Sequence, residues 1–335
     1  MWRGLVVLGL SACATPVLPR ELAVAQQRES THDRVGALAI YRQMLARCAT
    51  QPLPKDDCAT AQIRIAEVLE EEGLVDDAVA AWLEVPARTS QPLPKARATA
   101  RAAHLLETRD PKRAEALAEQ TIRSWPNEVP TDDALRVWMR LIARRAPSAL
   151  TAQLAAMWPS LADTELGDNV LFALGEAQEP SAASDAVRTW DKLVAKYRRS
   201  GLRDDALWRS ARLLRQQGLP HEALSRLQII LDSRRDALIT GSYNSIWLDD
   251  AQLLKGRILL DDLGDLDGAA RAFRELSDDY PESILEDDGL YYLASVERRR
   301  DVPLACKTLQ RLIDKYPDSN QRRNAEAERK ELCCP

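Results

Sequence analysis

The chain has 335 residues, a formal net charge of −5, 29% charged and 45% hydrophobic residues. That length holds two ordinary domains or one long array, and the balance is that of a soluble globular protein. A negative total excludes a strongly basic nucleic-acid binder, and a composition led by Ala, Leu, Arg, Glu and Asp, with sparse Val and Ile and 2 Phe, favours helices over strands.

At the start, residues 1–12 read MWRGLVVLGLSA, with Arg3 before an apolar run from Leu5 to Leu10. The run is too short to span a bilayer and fits the core of a secretion signal. It ends in Leu10-Ser11-Ala12-Cys13, which resembles the bacterial lipobox: an aliphatic residue, two small residues, then cysteine. The resemblance implies export, cleavage of signal peptide 1–12 and a covalent lipid on Cys13, with 13–19 as a lipidated tether. Ala14 follows the cysteine instead of Asp. That implies an outer-membrane lipoprotein facing the periplasm, anchored to the membrane by palmitate-type acyl chains and needing no other cofactor.

Beyond the tether the chain repeats. Small or alanine-type residues at Ala61, Ala98, Ala134, Val170, Ala206, Ala251, Gly289 and Ala325 are spaced by 37, 36, 36, 36, 45, 38 and 36 residues. Five places after these anchors stand Ala66, Ala103, Met139, Gly175, Ala211, Gly256, Ala294 and Lys330, so close helix contacts recur at one register. Asp pairs precede four anchors, at 132–133, 204–205, 249–250 and 287–288, where they suit the positive end of a helix. Gly73, Gly218 and Gly264 then mark a helix end, and a second helix follows, closed in three units by Trp125-Pro126, Tyr280-Pro281 and Tyr316-Pro317. Trp82 and Trp190 fall in second helices and read as core. The pentamers Gln51–Lys55 and Gln91–Lys95 share the sequence QPLPK and read as stiff connectors. Each helix pair exposes an apolar face that only its neighbours cover. The expected fold class is all-α: a right-handed α-solenoid of helical hairpins, degenerate over 20–200 and clearer over 201–335 with a C-terminal capping helix. The 45-residue unit carries an insertion around Ser233–Asn244.

The pattern resembles the tetratricopeptide family, most clearly from Leu248 onward. Ala269-Ala270, Phe273, Tyr280-Pro281, Tyr292, Leu309 and Tyr316-Pro317 stand where that family's pattern wants them. The phrases FRELSDDYPES and LQRLIDKYPDS are similar to repeats of two periplasmic groups. One is the lipoprotein of the outer-membrane β-barrel assembly machine, and the other is the repeat protein that works with the Tol–Pal system. The resemblance implies a scaffold for protein–protein binding in cell-envelope assembly. Its partners would be other envelope proteins or extended peptide segments. Narrower readings are a subunit of the β-barrel assembly machine and an accessory regulator of peptidoglycan enzymes.

The family's groove positions fall two and six places after each anchor. They select Arg136, Trp208 and Tyr291 at the second place and Arg140, Arg212 and Arg257 at the sixth. Arginine forks suit carboxylates, and exposed aromatics suit interface anchors. A basic stretch from Arg188 to Arg215 suits anionic lipid headgroups instead. Export permits disulfides. Cys48 and Cys58 flank the first connector, while Cys306 can reach Cys333 or Cys334 if the last helix runs back beside its own. The three histidines, His32, His104 and His221, accompany neither a nucleophile motif nor a metal-ligand spacing, so neither catalysis nor a metal is expected.

Overall fold

The computed structural model describes residues 20–50, 55–240 and 245–334. The signal peptide, Cys13, the tether, most of the first QPLPK connector and the tip of the insertion lie outside these residues. The described residues form helices, turns and connecting segments without a strand. An opening hairpin of α1 (Arg20–Ser30) and α2 (Arg34–Cys48) precedes the first anchor. Seven hairpins follow: α3 (Lys55–Glu71) with α4 (Val75–Arg88), α5 (Pro92–Leu106) with α6 (Pro111–Ser124), and α7 (Thr131–Arg145) with α8 (Pro147–Leu161). Next come α9 (Gly167–Gln178) with α10 (Ala183–Lys196), α11 (Arg203–Gln216) with α12 (Pro220–Thr240), α13 (Leu248–Arg257) with α14 (Leu266–Asp279), and α15 (Glu286–Glu297) with α16 (Val302–Lys315). Helix α17 (Arg322–Glu331) closes the chain, and a π turn at Ile258–Asp262 extends α13. The protein is thus an all-α solenoid of tandem helical hairpins.

Seven anchors lie in first helices and the eighth, Ala325, in the closing helix α17, and all eight are buried. The anchor Gly289 packs on Leu276 of the preceding helix, while the glycines five places after an anchor face large side chains of the following helix. A Cβ added to Gly175 would run into the Trp190 ring, and one added to Gly256 into the Phe273 ring. Both aromatics are fully buried, so the glycines are the hollows into which these rings fit. Four of the eight hairpin turns rest on left-handed backbone: Gly73, Gly218 and Gly264 adopt φ values of 74°, 73° and 65°, and His32 takes the same role between α1 and α2 at 64°. Asp33, Asp110, Asp265 and Asp301 start α2, α6, α14 and α16 by accepting backbone N–H bonds from the residue three places on.

The Asp pairs sit in the first turns of their helices, and the leading Asp also ties repeats together. Ser283 donates to Asp249 at 2.6 Å and Ser319 donates to Asp287 at 2.5 Å. Each serine also accepts from the backbone N–H two residues on, 3.0 Å from Leu285 and 2.9 Å from Gln321, which fixes the loop that hands the chain to the next first helix.

The molecule divides into two compact units. The first comprises residues up to 152 with 160–166, and the second comprises 153–159 with 167–335. Tyr41, Trp82, Val85, Ala61 and Ala98 share a core in the first, and Phe273, Leu293 and Val296 share one in the second. Each unit holds a disulfide, Cys48–Cys58 joining α2 to α3 and Cys306–Cys334 joining α16 to the segment after α17. Of the two partners open to Cys306, Cys334 takes the bond. Cys333 is an exposed thiol, not a bridged cysteine. The cause is the end of α17: Cys333 adopts φ 53°, and the Cys334 N–H reaches back 3.0 Å to the Arg329 carbonyl. This left-handed closure carries Cys334, not Cys333, to Cys306.

Candidate protein-binding groove

In the first unit the first helices line an open groove of about 800 Å³. Its walls come from α3, α5 and α7, with the Trp82 ring at its base and Val129-Pro130 at its rim. Two of the six groove residues expected from sequence, Arg136 and Arg140, lie in it together. Arg136 is 63% exposed and pairs with Asp133 at 3.0 Å along its own helix. Arg140 is not a free fork. Its guanidinium grips both oxygens of Glu107 at 2.9 and 2.7 Å, and Arg144 reaches the same carboxylate at 3.1 Å. The Glu107 side chain is 8% exposed, and the Arg140 hydrogen bonds, ahead of its opposing burial, hold its pKa below the usual carboxylate range.

This pair belongs to a ladder whose other arginines a search of the second and sixth places misses. Arg101 on α5 grips Glu70 on α3, and Arg97 reaches Glu67 at 2.6 Å. Arg64 on α3 pairs with Glu29 on α1 and with Glu67 at 2.7 Å. In the second unit Arg209 on α11 pairs with Glu176 on α9 at 2.7 Å and with Glu179 just past its end at 3.0 Å. Arg64, Arg101 and Arg209 stand three places after their anchors, and Glu70, Glu107 and Glu179 stand nine places after theirs. In two rungs, Arg101–Glu70 and Arg209–Glu179, an arginine at the third place faces an acid at the ninth place of the preceding unit, whereas Glu107, also at a ninth place, takes its arginine from the sixth. The ladder fixes the arginines on neighbouring first helices while leaving donors of each guanidinium unused, since one carboxylate cannot use all five.

The other four expected residues lie in the second unit. Trp208 is half-buried and stacks on Trp247 with centroids 5.1 Å apart, and the Trp247 indole donates to Asp205 at 3.0 Å. Arg257 and Tyr291 meet on Tyr292: the guanidinium lies 5.2 Å over its ring, and Tyr291 packs edge-on at 6.0 Å. Arg257 also faces Asp261 at 3.5 Å. Arg212 is exposed, with no ion pair among the described residues. Trp247 escaped the sequence reading because it precedes its anchor, and Tyr292, read there as a repeat-pattern residue, was not chosen for the groove because it sits one place past the second. Among the described residues no group of His, Cys, Asp or Glu is arranged to hold a metal ion, and no helix is long and apolar enough to cross a membrane.

Fold and repeats together define the class: a scaffold of helical hairpins of the tetratricopeptide-like kind. The hairpins over 250–283 and 288–319 match the family model of the tetratricopeptide repeat, so the chain carries tetratricopeptide repeats there. A search of the curated proteins gives no match. Among solved structures, a signal-transduction ATPase with a tetratricopeptide repeat sensor from Pyrococcus horikoshii aligns over 95% of this chain and 50% of its own, at 15% identity and a TM-score of 0.50. PilF of Pseudomonas aeruginosa aligns over 70% of this chain and 97% of its own, at 16% identity and a TM-score of 0.38. A tetratricopeptide repeat protein from Parabacteroides merdae aligns over 82% and 97%, at 12% identity and 0.37. At these identities the likeness speaks to the fold alone.

Proposed function

We propose that this protein is an outer-membrane-anchored periplasmic lipoprotein that serves as a non-catalytic scaffold in cell-envelope assembly, holding other envelope proteins or extended acidic segments in the groove of its first unit. The observation that carries the binding role is the groove itself: Arg97 and Arg136, 55% and 63% exposed, stand on adjacent first helices above a positioned ladder of ion pairs. Two further features support the compartment. Leu10-Ser11-Ala12-Cys13 resembles a lipobox, and two cysteine pairs at bonding geometry suit an oxidising environment. The likeness of FRELSDDYPES and LQRLIDKYPDS to repeats of the β-barrel assembly lipoprotein favours, as a second reading, a subunit of that machine.

The test has two arms. Cys13→Ala should leave the chain uncut or soluble, and a variant processed and membrane-bound like the parent overturns the lipoprotein reading. Arg97→Glu with Arg136→Glu should keep helicity and melting, because exposed ion pairs contribute only about 0–1 kcal/mol. The same variant should lose at least about tenfold in affinity for whichever envelope protein the parent captures, the equivalent of about 1.4 kcal/mol. Full-strength capture by the folded double variant removes the groove from the account.

A further inference from the structure

The basic stretch between Arg188 and Arg215 stays outside the groove, and its first half forms the outer face of α10. Ala186, Val187, Trp190 and Leu193 bury one side of this helix. Helical spacing places Arg188, Lys192 and Lys196 on the opposite side, and all three are exposed, as are Arg198 and Arg199 in the turn just past the helix end. The two acids of the helix are already engaged. Asp185 pairs with Arg188, and Asp191 is gripped by Arg226 of α12 at 2.9 and 2.8 Å. Aromatic rings lie among these cations. Lys192 stands 3.5 Å over the ring of Trp158, and Lys196 stands 5.6 Å over that of Tyr197. The half-buried Trp158 indole N–H has no hydrogen-bond partner. In a chain of net charge −5, this face concentrates positive charge and leaves Lys192, Arg198 and Arg199 without an ion pair among the described residues.

We propose that the outer face of α10 docks on the anionic headgroups of a phospholipid surface, with Lys192, Arg198 and Arg199 taking phosphates and Trp158 and Tyr197 at the headgroup level. Charge complementarity selects an anionic surface. The aromatic rings beside the cations select a membrane over a flexible polyanion, because such rings are apolar on their faces and polar at one edge and settle where water meets lipid. A single lipid anchor reaches firm attachment when a basic patch adds a second signal. The inference rests on the membrane-anchored reading only for choosing lipid over other polyanions.

The experiment uses the full chain carrying Cys13→Ala, so that no acyl group contributes. Binding is measured to vesicles of phosphatidylcholine alone and of phosphatidylcholine with phosphatidylglycerol in equal parts. The anionic vesicles should bind more tightly, and added salt should erase the difference. Each basic residue near such a surface is worth about fivefold. Lys192→Gln with Arg199→Gln should therefore lose about twentyfold on the anionic vesicles at unchanged melting temperature, while Lys192→Arg keeps parental binding. Equal binding to the two vesicle types, or full binding by the double variant, overturns the proposal. So does a preference for polyglutamate over the anionic vesicles, which assigns the face to an acidic protein. The outcome is independent of whether Cys13 is lipidated in the cell, so failure here and failure of the lipoprotein reading are separate results.

Discussion

At the scale of single residues, the groove shows how a carboxylate can be both buried and charged. Glu107 is nearly enclosed at the end of α5, and only the fork of Arg140, backed by Arg144, makes its charge tolerable there. Arg140→Ala should cost about 1.5–3 kcal/mol in urea unfolding, the usual range for hydrogen bonds to a charged group. Glu107→Gln should cost less, and the double variant should be less than additive. A carboxylate held below its unfolded pKa of about 4.3 contributes stability above that pH, and the contribution is lost as pH falls through the lowered folded value. Stability of the parent should thus fall faster on acidification than that of Glu107→Gln. Parallel pH profiles would show that the pair does not hold the charge. Sequence alone showed Arg140 as a groove residue but not its engagement, because its partner lies 33 residues away on the preceding first helix.

At the scale of the helix, the 36-residue spacing was legible because close packing demands a small residue at the same place in every turn of the array. The prediction follows from that contact. Gly256→Ala gains helix propensity of about 1 kcal/mol yet forces a methyl into the fully buried Phe273 ring. Overpacking of about 1–3 kcal/mol should dominate, so melting should fall, and an unchanged or raised melting temperature would mean the ring can move aside. The opening hairpin was not legible as a unit of its own, because His32 holds the left-handed turn where three later hairpins use glycine. The Asp pairs were legible as residues of helix starts, but their bonds to Ser283 and Ser319 were not, since each spans more than 30 residues. Reading Cys333 and Cys334 apart required the left-handed closure of α17. Cys306→Ser removes a bridge closing 28 residues and should cost about 3–4 kcal/mol by the loop-entropy relation, whereas Cys333→Ser should leave melting unchanged. An equal loss on Cys333→Ser, with Cys334→Ser unchanged, would move the bond to Cys333.

At the scale of the whole molecule, stability in an array is a sum over hairpins and the contacts between neighbours, so binding surfaces are built by register and not by one central core. Such a surface is legible in outline, since equivalent places on successive first helices face one way. The occupants of those places are not, because the arginines that line it were chosen in concert with acids one repeat earlier. Fold and binding surface follow from the same 36-residue rhythm, and the lipobox-like start places that surface, in our proposal, on the inner side of an outer membrane. The most direct test of the central claim is site-specific photo-crosslinking in the native envelope, with a photoreactive residue at Arg136 in the groove or at the exposed Lys112 on α6 as the control. The account predicts a discrete set of crosslinked envelope proteins from position 136, reduced when Arg97→Glu is added, and none of them from position 112. The same products from both positions, or products from 112 alone, would contradict it.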